Sequence, residues 1–431
     1  MVFNKYLTVN EQGHLCLEGC DTTELAKEYG TPLYVMSETT IRDNCRMFTK
    51  AFEGYSGGGM PLFASKSFIC LEMCRIAAQE GLGLDVVSGG ELFTAIKAGF
   101  PMDRVYFHGN NKTEQELKMA LLNDVHCIVL DNIDELNMLS AIASAEGKTA
   151  RVSFRIKPGV DAHTHEFIRT GQIDSKFGFA LETGEAFEAV KTALSCDNIE
   201  IIGFHCHIGS QIFDTAPFEL AAEKMLNFIH EVNSKFGIEV KVLNLGGGFA
   251  IKYTESDPDF IYDSFVKKIL NRIEQYCGEN GMICPQVLIE PGRSITGAAG
   301  ITLYTVGTVK NIPGIRNYVS IDGGMCDNPR YILYKADYTA CVASKADKPK
   351  NFEATIAGRC CETGDLIQEN TMIQQPSHGD ILAVFSTGAY NFSMAMTYNR
   401  LPRPAVVMVN NGASRVIVER QTYMQLIEND I

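Results

Sequence analysis

From Pro61 onward the chain keeps a steady beat. Apolar stretches too short for helices alternate with longer segments whose apolar residues recur at helical spacing. The short stretches begin at Leu62, Gly83, Val105, His126, Arg151, Ile201, Val242 and Gln286, which makes eight. This periodicity predicts strands followed by helices. Strands separated by helices pair in parallel, and eight such units predict a closed (β/α)8 TIM-like barrel. After about Ile295 the beat is lost. Apolar runs near Ile301, Tyr318, Tyr338, Asn351, Gly379 and Ala405 follow with few helical segments between them, which predicts a second, mainly β (β-barrel) domain. Short strands near Tyr6, His14 and Pro32 are expected to join it. The expected division is 36–295 for the barrel and 1–35 plus 296–431 for the β domain. The segment 160–179 reads as a long insertion after the fifth strand, of the kind used as a lid or binding loop.

Composition changes this picture little. A chain of 431 residues exceeds what one core usually supports, in line with two domains. The formal charge of −14 argues against a nucleic-acid or anionic-membrane surface. No apolar run is long enough to span a bilayer, and the acidic, weakly apolar start predicts no secretory signal. The 14 cysteines show no framework of regular spacing. Reduced thiols and a cytoplasmic protein are expected. Neither Cys16/Cys20 nor Cys70/Cys74 has a second pair at zinc-ribbon spacing, so no metal site is expected there.

The residues that interrupt the apolar pattern fall at the C-terminal ends of the predicted strands, the rim that carries chemistry in such barrels. Lys66 follows the first strand, Asp85 marks the second and His108 the third. Arg155 and Lys157 mark the fifth, and His205, His207 and Ser210 the sixth. Gly246-Gly247-Gly248 follow the seventh, and Glu290 and Arg293 the eighth. A lysine ending a buried strand is expected to be poorly solvated, which lowers its pKa and suits an imine-forming amine. The alternative is a packed stem with its head in water. The three glycines form either a tight turn or a backbone cradle for an anion. Gly248, Arg293 and Ser210 together can hold one phosphate. Glu290 needs a partner, either Arg293 or a pyridinium N–H. His205 and His207 alternate onto one face, as a metal pair or as a ring stacked on an aromatic cofactor. An amine, a phosphate cradle, an acid and a flat ring contact together match what pyridoxal phosphate requires.

The segments FASKS, DVVSGGEL, HGNNKT, PGVDAHTH, SKFGF, HCHIGSQ, LGGGF, EPGR, DGGMCDNPRYILY, CETGD and GAYNFSMAMTYN, in this order, resemble those of the diaminopimelate decarboxylases. These belong to the fold-type III, pyridoxal-phosphate-dependent decarboxylases. The resemblance runs from about residue 30 to 410. It implies an (β/α)8 barrel with a β-barrel domain, a homodimer with active sites at the subunit interface, and pyridoxal 5'-phosphate as cofactor. By motif, Lys66 is similar to the lysine that joins the cofactor, and His207 to the histidine stacked on its ring. Ser210, Gly248 and Arg293 are similar to phosphate contacts, and Glu290 to the ring-nitrogen partner. Tyr390 resembles the tyrosine near phosphate and substrate. Cys361 resembles the proton donor that reaches the partner subunit's cofactor. Arg293, Arg330, Tyr334 and Glu362 resemble substrate contacts. Tyr334 as plain core and Cys361 as a structural thiol are the alternatives.

The implied reaction is decarboxylation of meso-2,6-diaminopimelate to L-lysine and CO2, the last step of lysine biosynthesis. A decarboxylase of another basic amino acid or of carboxynorspermidine, or a non-catalytic regulatory homologue, are the competing readings. A racemase is disfavoured by Glu290, because arginine is the better ring partner there. Tyr331 and Arg359 stand where proline is common in the family, and Phe63 where tyrosine is. The first two lie close to the expected substrate contacts, so fine selectivity hangs on them.

Overall fold

The strands of the barrel are flanked by helices, so both their faces are buried and their sequences have no need to alternate. The protein's computed structural model describes residues 3–160 and 175–431; residues 161–174 of the expected insertion lie outside the described residues. The chain divides into two compact units. One comprises Asn44–Ala250 and Phe260–Gly292, the other Met1–Asp43, Ile251–Asp259 and Arg293–Ile431.

In the first unit the barrel strands are β1 Gly59–Ala64, β2 Gly83–Val86, β3 Val105–Phe107, β4 Cys127–Leu130, β5 Ala150–Lys157, β6 Ile199–His205, β7 Val242–Asn244 and β8 Gln286–Ile289. Each pairs in parallel with the next, and β8 returns to β1 with Val287 opposite Gly59, closing the cylinder. Leu62, Tyr106, Cys127, Val129, Val242 and Leu288 form a buried cluster drawn from β1, β3, β4, β7 and β8. Toward the C-terminal ends the buried side chains become polar: Asp85, His108, His205, Asn244 and Glu290. The apolar cluster stabilises the cylinder and the polar layer above it is available for chemistry.

The helices that follow three successive strands start on good caps. Ser88, Thr113 and Asn132 each accept from the backbone N–H three residues on, at 3.2, 3.3 and 2.9 Å. An oxygen at that position satisfies a donor that the first helical turn leaves without an intrahelical partner.

The second unit is mainly β. Its long strand Gly300–Ile312 pairs with Leu33–Ser37, Ile381–Val384 and Arg316–Ile321, and Leu33–Ser37 in turn pairs in parallel with Ala405–Asn410. The N-terminal segment is thus recruited into this sheet. Alternation splits the strands between two cores. Ile301, Leu303, Cys341 and Ala383 enter one core, and Tyr304, Val306, Ala340, Val342, Leu382 and Val384 the other. Two strands that the apolar pattern does not reveal, Leu366–Ile373 and Ala413–Val418, extend the sheet at its edges. Among the described residues no helix is long and apolar enough to cross a membrane. All 14 cysteines are free thiols.

Candidate active site

Lys66 lies in the single 3-10 turn Ser65–Ser67 that ends β1. The turn is fixed by Glu91, whose carboxylate accepts from the Ser65 hydroxyl and from the Val87 N–H. The Lys66 side chain itself is exposed. The expectation of a lysine desolvated by its own strand is therefore corrected. The strand is buried, but in the 3-10 turn that ends it Lys66 is exposed.

Glu290 follows β8 and is 6% exposed. It accepts from Asn244 Nδ2 at 2.7 Å, and His108 Nε2 and His205 Nε2 stand 2.9 and 3.3 Å from its oxygens. Burial alone would push this carboxyl up, but the two imidazoles override it and hold it well below the usual range. Asp85 behaves differently. Burial pushes it up to about 6, and the nearby Glu290 adds to that against the opposing His108 and Lys66. Burial brings His205 down to about 4, with His108 and Arg155 acting in the same sense and Glu290 against it.

These shifts predict an acid-labile rim. The unfolded chain protonates His205 below about 6.5, whereas the folded chain does so only near 4. Between those values the unfolded chain binds more protons, so stability is lost as pH falls, by up to about 3 kcal/mol from this group. Glu290, held low, acts in the same direction; Asp85, held high, acts against it. His205→Gln is expected to flatten the dependence of the urea midpoint on pH between 6.5 and 4. Equal slopes for variant and parent would show that His205 does not carry the effect.

The turn after β7 is built by close approach. Gly246 has φ +68, and a Cβ there would lie 2.5 Å from the Cys206 carbonyl oxygen and 3.0 Å from the His207 ring. Gly248 has φ +121, and its Cβ would lie 2.6 Å from the Gly209 carbonyl oxygen. Both positions need glycine for conformation and for space. The Gly248 carbonyl accepts from Ile212 N–H at 2.9 Å, which joins this turn to the Gly209–Ser210 turn after β6. His207 is half-buried between them, and burial, then the charges of Lys66 and Arg155, press its ring well toward the neutral form.

The remaining expected residues lie in the second unit. Arg293 donates to the Tyr253 hydroxyl and stands 4.7 Å from the centre of the Tyr390 ring. Arg330, 6% exposed, stands 4.7 Å from the Tyr253 ring and donates to the Tyr338 hydroxyl at 2.8 Å. Tyrosine and guanidinium thus alternate along Tyr390, Arg293, Tyr253, Arg330 and Tyr338. Ring faces attract the cations without neutralising them. Among the described residues Arg330 forms no ion pair with a carboxylate.

Tyr334, on the same short helix Arg330–Tyr334, is half-buried and outside the two cores. Cys360 is buried, whereas Cys361 and Glu362 are exposed. The Cys361 N–H donates to Asn399 Oδ1 at 2.7 Å. Tyr331 is buried, with its hydroxyl on Glu369. Arg359 is exposed.

Residues 38–297 match the family described as pyridoxal-dependent decarboxylase, pyridoxal binding domain. A diaminopimelate decarboxylase of Bacillus subtilis is 47% identical over 422 residues, 98% of this chain and 96% of that one. One of Bacillus methanolicus is 48% identical, with 98% of each chain covered. The chain belongs to the diaminopimelate decarboxylase family. A crystal structure of diaminopimelate decarboxylase from M. jannaschii in complex with L-lysine matches with a TM-score of 0.93 at 36% identity, over 100% of this chain and 99% of that one. A lysine/ornithine decarboxylase from Vibrio vulnificus, 21% identical with a TM-score of 0.76, shares the fold.

Pyridoxal 5'-phosphate is the cofactor of this decarboxylase family, and the barrel rim fits it. Gly247 has no room for a side chain, since a Cβ would lie 2.3 Å from the Glu290 carbonyl oxygen, so the turn presents bare backbone. A buried carboxylate held ionised, Glu290, and an exposed lysine, Lys66, are groups of the kind that a pyridinium N–H and an aldehyde call for. The resemblance assigns no role to three residues of the arrangement, His108, Asn244 and Tyr253, although His108 lies within HGNNKT. His108 ends a strand on the same rim, which was the signal available. Asn244 and Tyr253 carried none, because one is an ordinary polar residue inside an apolar run and the other follows the glycine turn without a motif.

Proposed function

We infer that this chain removes CO2 from meso-2,6-diaminopimelate to give L-lysine, the last step of lysine biosynthesis. The observation that carries this reading is Glu290, a buried carboxylate held ionised on the rim that also presents Lys66. When bound, pyridoxal phosphate supplies the electron sink that lets a carboxylate leave an amino-acid Cα. The chain does the rest. Lys66 would hold the cofactor covalently through its amine. Glu290 would accept from a protonated ring nitrogen, and His207 would pack on the ring. Ser210, Gly248, Arg293 and Tyr390 would hold the phosphate.

The far end of the substrate is itself an amino acid. Arg293, Arg330, Tyr334 and Tyr390 read its carboxylate and Glu362 its ammonium, through charge-assisted hydrogen bonds. Arg330, stacked on tyrosine and without a carboxylate of its own, suits an incoming anion. Cys361 would supply from its thiol the proton that takes the place of CO2 at the substrate Cα. In this reading residues 36–295 bind the cofactor, and 1–35 with 296–431 supply substrate and subunit contacts. The enzyme is a cytoplasmic homodimer with shared active sites.

The test is an assay with added pyridoxal phosphate on meso-diaminopimelate, beside L-lysine, L-ornithine and carboxynorspermidine. Stoichiometric L-lysine and CO2 from diaminopimelate alone is the expected result. Faster turnover of any of the others, or none of diaminopimelate, overturns the reading.

A further inference from the structure

The helices after β2, β3 and β4 share a device beyond their caps. In each, the glutamate three residues past the cap reaches back to the turn of the preceding unit. Glu91 accepts from Ser65, Glu116 from the Gly89 N–H at 2.7 Å, and Glu135 from Lys112 Nζ at 2.5 Å. The three links run from the turn that bears Lys66 to the turn that follows His108.

The last link is buried. Lys112 is 4% exposed and Glu135 2%. Lys112 uses three donors: to Glu135, to the Gly109 carbonyl at 2.9 Å and to the Val129 carbonyl at 2.7 Å. Burying such a pair is costly, and well-packed apolar residues of similar volume often fill the space at no loss of stability. What apolar residues cannot do is hold two carbonyls at fixed points. One of them belongs to Gly109, the residue after His108. On its other side His108 is anchored by its own N–H, which donates to the Val86 carbonyl at 2.8 Å. The imidazole held between these two anchors stands 2.9 Å from Glu290.

We propose that Lys112, with Glu135, is a positioning residue that sets His108 against Glu290. The catalytic consequence rests on the reading of Glu290 as the ring-nitrogen partner; the structural claim does not. Nothing in the motif resemblance assigns Lys112 a role, although it lies within HGNNKT.

Two measurements test it. In a crystal structure of cofactor-free Lys112→Met, His108 Nε2 is expected to move out of hydrogen-bond reach of Glu290. In a kinetic cycle with meso-diaminopimelate, Lys112→Met is expected to lower kcat about ten- to a hundredfold with little change in KM. Adding His108→Gln should then cost nothing further, because one residue acts through the other. Should Lys112→Met fail to fold, Glu135→Gln, which keeps an acceptor and removes the charge, takes its place in both measurements. A His108–Glu290 contact unchanged at 2.9 Å, or fully additive losses in kcat, overturns the proposal. If the parent enzyme does not decarboxylate diaminopimelate, the proposed function fails while the crystal structure still decides the positioning claim.

Discussion

Lys66→Ala, incubated with pyridoxal phosphate and then desalted, is expected to be colourless and to form lysine at least a hundredfold more slowly than the parent, since about that much follows from losing one positioned proton-transfer group alone. The side chain lies in the 3-10 turn Ser65–Ser67, outside the packed part of β1, and is exposed. Truncation leaves Leu62, Phe63 and Ala64 in place, all within 2% exposure. Exposed substitutions of this kind change stability by only about 0.5 kcal/mol, so the thermal midpoint should match that of the parent. The loss is then one of chemistry. On the proposed reading Lys66 is the covalent attachment point, so the cofactor should leave Lys66→Ala on dialysis. The checks are the near-visible absorbance of the covalently held cofactor, its retention after dialysis, and lysine production. A coloured, fully active Lys66→Ala would remove the lysine, and with it the proposed reaction, from consideration.

The environment of Lys66 shows where sequence reading stops. The barrel was legible because β1 to β8 are short apolar runs between amphipathic segments, and eight such strand–helix units are the number that closes a parallel cylinder. Glu290 was legible as one charge closing an apolar strand. Its partners were not. His108, His205 and Asn244 come from three other strands, and only closure of the cylinder brings them to one carboxylate. The exposure of Lys66 was not legible either, because apolar flanks report burial of the strand and say nothing of the turn that ends it. In the β unit, Ala413–Val418 has no buried residue and Leu366–Ile373 is mixed, as edge strands with one open face are. Such strands lack the apolar run by which the others were found. Tyr331 stands near Arg330 in sequence, yet its hydroxyl is on Glu369, which Arg316 also holds at 2.8 Å. Its unusual identity is thus accounted for by packing within the β unit.

Cys361→Ala should give the opposite profile to Lys66→Ala: normal colour and cofactor retention, with kcat lowered about 10²- to 10⁴-fold, the range for losing a general acid. The loop does not depend on the thiol. Asp365 accepts from the Met325 and Cys360 N–H groups at 2.6 and 2.7 Å, and its own carbonyl accepts from Gly358 at 2.9 Å. The Cys361 N–H is fixed on Asn399 by the backbone. Alanine therefore keeps the loop and removes only the proton. The thiol is exposed and the neighbouring Cys360 is buried, so the two adjacent cysteines separate into one free to react and one packed. If Cys361 serves the other subunit's cofactor, mixing the two inactive variants under conditions of subunit exchange should restore activity. Random pairing in a twofold dimer makes half the dimers mixed, each with one intact site, or about a quarter of parental activity. No recovery on mixing, with exchange confirmed, would place Cys361 in its own subunit's site. Unchanged turnover by Cys361→Ala would remove it from the reaction altogether.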